Sequence, residues 1–249
     1  MIRNLLRMPT EVDILAIGVH PDDIELSCSG TLLNHIQKGY SIGLLDLTLG
    51  ELGTRGTASL RTEEAFQAAQ KLSANFRVQL DLEDGFFNWN KESILKIIQV
   101  IRAAKPRIIF ANAISDRHPD HGRAAKLVSD AIFYAGLEKI ITIDQHGKNQ
   151  IKWRPKHVLH YVQDHQLEAD IICDISSVMN EKLEIIQCFK SQFYDPNSTE
   201  PVSPISGKDF FDVIKAKNKT YGRSMNVEYA EAFNFNGPIP LNNLIESLI

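Results

Sequence analysis

The sequence predicts an α/β fold in which helices cover both faces of a mostly parallel sheet. Three observations carry this prediction. Short β-branched or apolar runs alternate with longer amphipathic stretches through the first 135 residues. The first run, Val12–Val19, is apolar nearly throughout, the pattern of a strand buried on both faces. No internal repeat, low-complexity tract or linker-like segment divides the chain, so residues 1–249 are read as a single domain.

The elements follow in order. After the Val12–Val19 strand, Thr31–Lys38 has helical spacing and stops at Gly39. Ile42–Thr48 is the second strand, and residues 50–60, with three glycines, read as a loop. Arg61–Ala74, rich in Ala, Glu and Gln, is a helix, and Arg77–Leu82 a third strand. Glu92–Ala104 is a helix that ends before Pro106, and Arg107–Asn112 a fourth strand. Asp120–Ala135 is the next helix. Parallel neighbours need crossover connections, and these helices supply them with right-handed topology. Further on, His157–Val162 and Ile171–Ile175 read as strands and Ser177–Lys190 as a helix that Ser176 caps. Residues 193–207, with three prolines, read as a long surface loop, and Asp209–Tyr221 as a last helix.

Composition narrows the function. The chain has 249 residues, 43% apolar and 23% charged, with a net charge of −4. That is enough to bury about three quarters of the unfolded surface, and it excludes global disorder. With 27 basic and 31 acidic residues there is no cationic field for nucleic acid. No apolar run is long enough to span a bilayer, and Met1–Thr10, despite Arg3 and Arg7, has no apolar stretch of export-signal length. Cys28, Cys173 and Cys188 are odd in number and widely spaced, which reads as reduced thiols in a reducing compartment. The expectation is a cytoplasmic protein without membrane or nucleic-acid partners.

Two segments carry chemistry. His20-Pro21-Asp22-Asp23-Ile24-Glu25 follows the first strand, and Asp116-Arg117-His118-Pro119-Asp120-His121 follows the fourth. One His-Pro-Asp unit needs no function, because proline and aspartate are favoured in the first turn of any helix. Two such units, both rich in ligand-type residues and both at carboxyl ends of parallel strands, point to one shared site. Imidazole and carboxylate suit zinc, and a catalytic zinc takes three protein ligands and keeps one position open for water. His20, one of the two aspartates, and one or both of His118 and His121 could supply them. Asp22 and Asp23 are adjacent, so their side chains diverge, leaving one free to act as a general base. His118 and His121 are three apart, about 5–6 Å on one helix face, and spacing alone does not say whether both ligate. His35, His146, His157, His160 and His165 show no ligand spacing and read as core or surface residues.

The stretch DILAIGVHPDDIELSCSG (13–30) with DRHPDHGRAAKLVSDA (116–131) resembles the LmbE/PIG-L family of zinc-dependent N-acetylglucosaminide deacetylases. ELGTRGTASLRTEEA (51–65) and SQFYDPNSTEP (191–201) resemble it too, and the likeness is strongest to the branch that deacetylates N-acetylglucosaminyl-malate in bacillithiol biosynthesis. The resemblance implies a Rossmann-like three-layer α/β/α sandwich and a homo-oligomer. It implies that His20, Asp23 and His121 hold Zn2+, that Asp22 is the general base, and that His118 stabilises the oxyanion. It implies that Asp120 orients His118 and favours its charged form. Arg61 and Asp84 match family positions that face the substrate, and Arg117, beside His118, is a further substrate contact. For the two malate carboxylates, Arg61, Arg117 and Arg55 are the cationic candidates. No tyrosine of the late loop is assigned: Tyr194 starts the loop, and Asp209 and Phe210 stand where the best-aligned family tyrosine falls.

The alternatives are deacetylation of another N-acetylglucosamine derivative, hydrolysis of a thiol-conjugate amide, or a sugar- or metal-binding role without catalysis. A dinucleotide-binding role is weaker, because no GxGxxG follows the first strand.

Overall fold

The computed structural model describes residues 8–239. The segment bearing Arg3 and Arg7, used above in reading the N-terminus, lies outside them. Among the described residues the order is β1 (Ile14–Gly18), α1 (Asp23–Gln37), β2 (Ile42–Asp46), α2 (Ala58–Leu72), β3 (Phe76–Gln79), α3 (Lys91–Ala104), β4 (Ile108–Ala111), α4 (Pro119–Ala135), β5 (His157–Tyr161), β6 (Ile171–Asp174), α5 (Met179–Ile186), α6 (Phe210–Met225) and β7 (Ala230–Phe235).

One seven-stranded sheet runs β3-β2-β1-β4-β5-β7-β6. The first five strands are parallel, and β7 runs antiparallel to both β5 and β6. Successive residues of β1 and its extension feed opposite cores. Leu15, Ile17 and Val19 pack with Ile97, Ile101, Leu127 and Val128 of α3 and α4. Ile14 and Ala16 pack with Leu32, Ala68, Ala69 and Ile186 of α1, α2 and α5. This is the expected parallel α/β arrangement, with helices closing both faces of the central strands. No helix of the described residues is long and apolar enough to cross a membrane.

Four details differ from the sequence expectation. Helix α1 begins eight residues earlier than the predicted Thr31, because nearly all of Asp23–Leu32 is buried and so shows no polar face to read. Helix α2 begins at Ala58, inside the predicted loop, capped by the hydroxyl of Thr57, which accepts the amide of Leu60. Ser176 does not cap a long helix. It opens a single 3-10 turn, Ser176–Val178, and its hydroxyl donates to Asp174 at 2.6 Å. Strand β7 was not foreseen. Its second residue, Glu231, is buried because it accepts from Lys182 Nζ at 2.5 Å and from the amides of Gly30 and Thr31 within α1. Lys182 also donates to the Leu26 carbonyl, so one buried ion pair joins α5 and β7 to the helix that carries Asp23.

Beneath the rim lies a second buried ion cluster. Arg77 of β3 donates to both Asp46 oxygens at 2.7 Å and to Glu25 at 2.5 Å, and all three side chains are fully buried. It ties β2 and β3 to the first turn of α1, next to the His20–Asp23 segment.

Candidate metal centre and active site

Strand β1 lies between β2 and β4, and the strand order reverses there. Crevices at such reversals, outside the carboxyl ends of the strands, are where open α/β sheets bind ligands. Both His-Pro-Asp segments leave the sheet at this point. The rings of His20 and His118 come within 4.8 Å between centroids, and those of His118 and His121 within 5.1 Å. One donor atom from each of His20, His118 and His121 lies within 4.8 Å of the others.

The two aspartates diverge, as adjacency requires. Asp22 caps α1 with φ of 107°, a left-handed conformation costly for a residue with a Cβ. Its carboxylate meets Arg61, whose Nη2 is 3.2 Å away. Asp23 turns back under the strand ends. Its Oδ2 accepts from the amides of Val19 and His20 and from Asn112 Nδ2, at 2.9–3.0 Å. Its Oδ1 accepts from Gln163 Nε2 at 3.0 Å and faces His121 Nε2 at 3.1 Å.

The remaining expected residues are placed as follows. His20 Nε2 meets Asp84 Oδ1 at 2.9 Å and Asp120 Oδ2 at 3.4 Å. The Asp120 carboxylate therefore serves His20, with Gly85 N–H and Arg123 as further donors, and does not reach His118. Its backbone does: Asp120 N–H donates to His118 Nδ1 at 3.3 Å, so His118 caps α4 and a neutral His118 carries its proton on Nε2. Across space the Asp120 carboxylate still favours a charged His118, as expected, but burial and the neighbouring His20 and His121 outweigh it. Asp84 is also turned inward, its second oxygen accepting from Leu52 N–H at 3.0 Å. Arg61 is buried, and besides Asp22 it donates to the carbonyls of Pro21 and Gly50. Gly50 has φ of +65°, and a Cβ there would fall 2.2 Å from Arg61 Nη1, so glycine leaves room for the guanidinium. Arg55 is buried in the late loop, donating to Ser191 O, Phe193 O, Pro201 O and Ser198 Oγ, which removes it as a substrate cation. Arg117 is half exposed and paired with Asp164.

Burial and charge set the protonation states of the metal-free site. Burial pushes Asp22 up to about 7 against the opposing pull of Arg61. Asp23 is also fully buried, but His121 and His20 outweigh the burial and hold it well below the usual carboxylate range. Burial draws His20 down, yet Asp120, Asp84 and Asp23 together raise it to about 10. Burial likewise opposes a charged His121, and Asp23 with Asp116 raises it to about 9. His118 goes the other way: burial, then the neighbouring His20 and His121, lower it.

These residues fit a divalent metal. Imidazoles at mutual donor distances of 4.8 Å or less, with Asp23 Oδ1 turned to His121, make the nitrogen-and-oxygen donor set that zinc takes. Distance alone includes His118 in the cluster; the resemblance assigns the ligand set to His20, Asp23 and His121. Three residues support the site without a role expected from sequence: Asn112, Gln163 and Asp116, the last being the first residue of the second motif segment. Each is a polar residue just beyond a strand end, a position with no periodic signature. His160, expected to be bland, is buried and donates from Nδ1 to the Asn112 carbonyl at 2.8 Å.

Fold and site together define an α/β protein with a mostly parallel sheet and a His/Asp cluster at its carboxyl rim that could hold a metal ion. The profile of the PIG-L family, GlcNAc-PI de-N-acetylase, matches residues 15–132, and the chain belongs to this PIG-L/LmbE deacetylase family. That membership marks the chain as an enzyme and supports N-deacetylase activity. It is 29% identical to the diacetylchitobiose deacetylase of Thermococcus kodakarensis, over 72% of this chain and 70% of that protein. It is 25% identical to the 4-oxalmesaconate hydratase of Pseudomonas putida, over 72% and 73%. It is 24% identical to the probable N-acetyl-alpha-D-glucosaminyl L-malate deacetylase 2 of Bacillus anthracis, over 85% and 100%. Among solved structures, the conserved protein TT1542 from Thermus thermophilus superposes with a TM-score of 0.80 at 32% identity, covering 92% of this chain and 97% of that one.

Proposed function

We propose that the chain is a cytoplasmic, zinc-dependent enzyme that removes the N-acetyl group from N-acetylglucosaminyl-malate, leaving acetate and a free amine. The observation that carries the hydrolytic reading is the meeting of the two His-Pro-Asp segments, with Asp23 facing His121 and Asp22, diverging from it, held beside Arg61. Two things support the malate conjugate: the full-length match to the Bacillus anthracis deacetylase, and Arg117. Of the three arginines considered, Arg61 and Arg55 are buried and engaged, whereas Arg117 presents half its side chain to solvent. Exchange of Asp164 for a malate carboxylate would satisfy its planar fork.

His20, Asp23 and His121 would hold the zinc ion, which when bound acidifies a water and polarises an amide carbonyl. Asp22 takes a proton from the attacking water. Its pKa near neutrality, set by burial against Arg61, suits that task. His118 donates from Nε2 to the carbonyl oxygen as negative charge grows there, because its Nδ1 already accepts the Asp120 amide. The C–N bond then breaks, and Asp22, holding the proton, passes it to the departing nitrogen. Asp120 and Asp84 keep the His20 ring in place.

The test is amine release from N-acetylglucosaminyl-malate, run beside N-acetylglucosamine and diacetylchitobiose, with zinc-loaded and chelated protein. Zinc-dependent turnover favouring the malate conjugate is expected. Equal turnover of the sugars moves the substrate elsewhere within deacetylation. Hydration of 4-oxalmesaconate without any amine release overturns the deacetylase reading.

A further inference from the structure

The two histidines expected to hold the metal are not symmetric in their surroundings. His20 has Asp84 and Asp120 on Nε2. His121 has Asp116 on Nδ1, at 2.5 Å, and Asp23 on Nε2, at 3.1 Å. The Asp116 side chain is fully buried. Its other oxygen accepts the backbone amide of His165 at 2.6 Å, so both oxygens are committed and the carboxylate cannot swing away from the ring. Asp116 leaves the sheet after β4, and His165 lies beyond β5, so the pair spans two strand ends.

We infer that Asp116 is the positioning residue for His121: it accepts the hydrogen bond from Nδ1–H, keeps that proton on Nδ1 and thereby presents Nε2 to the metal. The inference rests on the metal-centre reading above. A neutral imidazole has one N–H and one lone pair. With a buried carboxylate on Nδ1, the Nδ1–H form is strongly preferred, and the lone pair falls on Nε2, beside Asp23 Oδ1. Asp23 is fixed in the same way. Asn112 Nδ2 bridges Asp23 Oδ2 and Gln163 Oε1, and the Gln163 amide donates to Asp23 Oδ1. With three donors on Oδ2 and one on Oδ1, Oδ1 keeps the freer lone pair. Asp116, Asn112 and Gln163 thus set which atoms of His121 and Asp23 face the metal before it arrives, which is the orienting work that outer carboxylates and amides do in metal sites. A purely structural Asp116 would cross-link two loops without selecting a ring nitrogen.

The experiment compares wild type with Asp116→Ala and Asp116→Asn. The readouts are zinc affinity, by competition with a chromophoric chelator, and the protonation of the histidine ring nitrogens, by 15N–1H NMR with and without zinc. In wild type, zinc is expected to remove the Nε2 proton of His121 and leave the Nδ1 proton in place. Asp116→Ala is expected to weaken zinc binding by about 10–100-fold and to lose the protected Nδ1–H signal. Asp116→Asn, which offers one acceptor to two donors, is expected to fall between and keeps the test open if the alanine variant does not fold. Folded variants with wild-type zinc affinity and an unchanged Nδ1–H signal overturn the inference. A wild-type protein that binds no zinc, yet keeps Nδ1–H on His121, overturns the metal reading itself, and the NMR signal separates that failure from the first.

Discussion

Arg61 lies against Asp22, Nη2 to Oδ2 at 3.2 Å, with both side chains buried at the sheet's carboxyl rim. The guanidinium is anchored by two carbonyls, Pro21 O at 2.6 Å and Gly50 O at 3.1 Å, so its position is fixed independently of the carboxylate. It offsets part of the burial cost that raises Asp22 to about 7. Arg61→Ala removes that offset, so the Asp22 pKa rises further. The acid limb of the kcat/KM–pH profile should move to higher pH, and zinc affinity should hold. A profile that keeps its shape would place Arg61 outside the control of Asp22.

Asp22→Asn should lower kcat by about 10²–10⁴-fold, the range for loss of a general base, with zinc content unchanged. The same variant has a stability signature in zinc-free protein. Asp22 is near 4 unfolded and about 7 folded, so between these values the folded state holds a proton that the unfolded state has lost. Its contribution is therefore present at low pH and is lost as pH rises from about 4 through about 7. The asparagine variant lacks this slope. Urea midpoints of the two proteins across that window should diverge as pH rises, with Asp22→Asn the more stable at the alkaline end.

On the proposed ligand set, zinc has to displace protons from His20 and His121, whose pKa values in the metal-free site are raised to about 10 and about 9. Apparent zinc affinity should climb steadily between about pH 6 and 9, with proton release on binding. Calorimetric titration in buffers of different ionisation enthalpy measures that release. An affinity independent of pH would mean the histidines are not ligands.

His118→Ala should cost about 10²–10³-fold in kcat, the loss expected for one oxyanion donor. Because His118 caps α4 through Nδ1, the alanine variant also loses a cap, worth about 1 kcal/mol. His118→Asn, which restores a capping oxygen, should recover the thermal stability but not the turnover. The asparagine amide can itself donate, so His118→Asp, which offers only acceptors, is the stricter comparison: full activity in that variant would remove the donor role.

Arg77→Leu leaves Glu25 and Asp46 buried together without their cation. It should destabilise the fold by about 3–5 kcal/mol in urea, as breaking a buried pair does. A loss below about 1 kcal/mol would show that the carboxylates protonate or rehydrate at little cost.

The site was legible because its signal is short-range and repeated. His20-Pro21-Asp22-Asp23 and His118-Pro119-Asp120-His121 each pack ligand residues into one strand-to-helix turn, and strand order alone brings such turns together. The order β1 to α4 was legible from the alternation of its elements. The start of α1 was not, because a helix buried on every side has no polar stripe. Strand β7 was hidden by Glu231, which looks like a solvent residue until Lys182 is placed opposite it. Arg55 is enclosed by the late loop, and Asp84 meets His20 and the Leu52 amide, partners that residue spacing does not reveal. The sequence offered cations and carboxylates near the motifs without saying which ones the loops would enclose.

By itself the sequence determined the parallel α/β arrangement, the two His-Pro-Asp turns and the family they resemble, because hydrophobic period and local turn chemistry act over a few residues. Only the tertiary structure decided that Asp120 serves His20 and that His118 takes the Asp120 amide on Nδ1. It also decided that Arg61 holds Asp22 and that Asp116 holds His121. Side-chain partnership across a rim depends on where strand ends meet in space, and a hydrogen bond made or missed over an ångström leaves no mark in residue spacing.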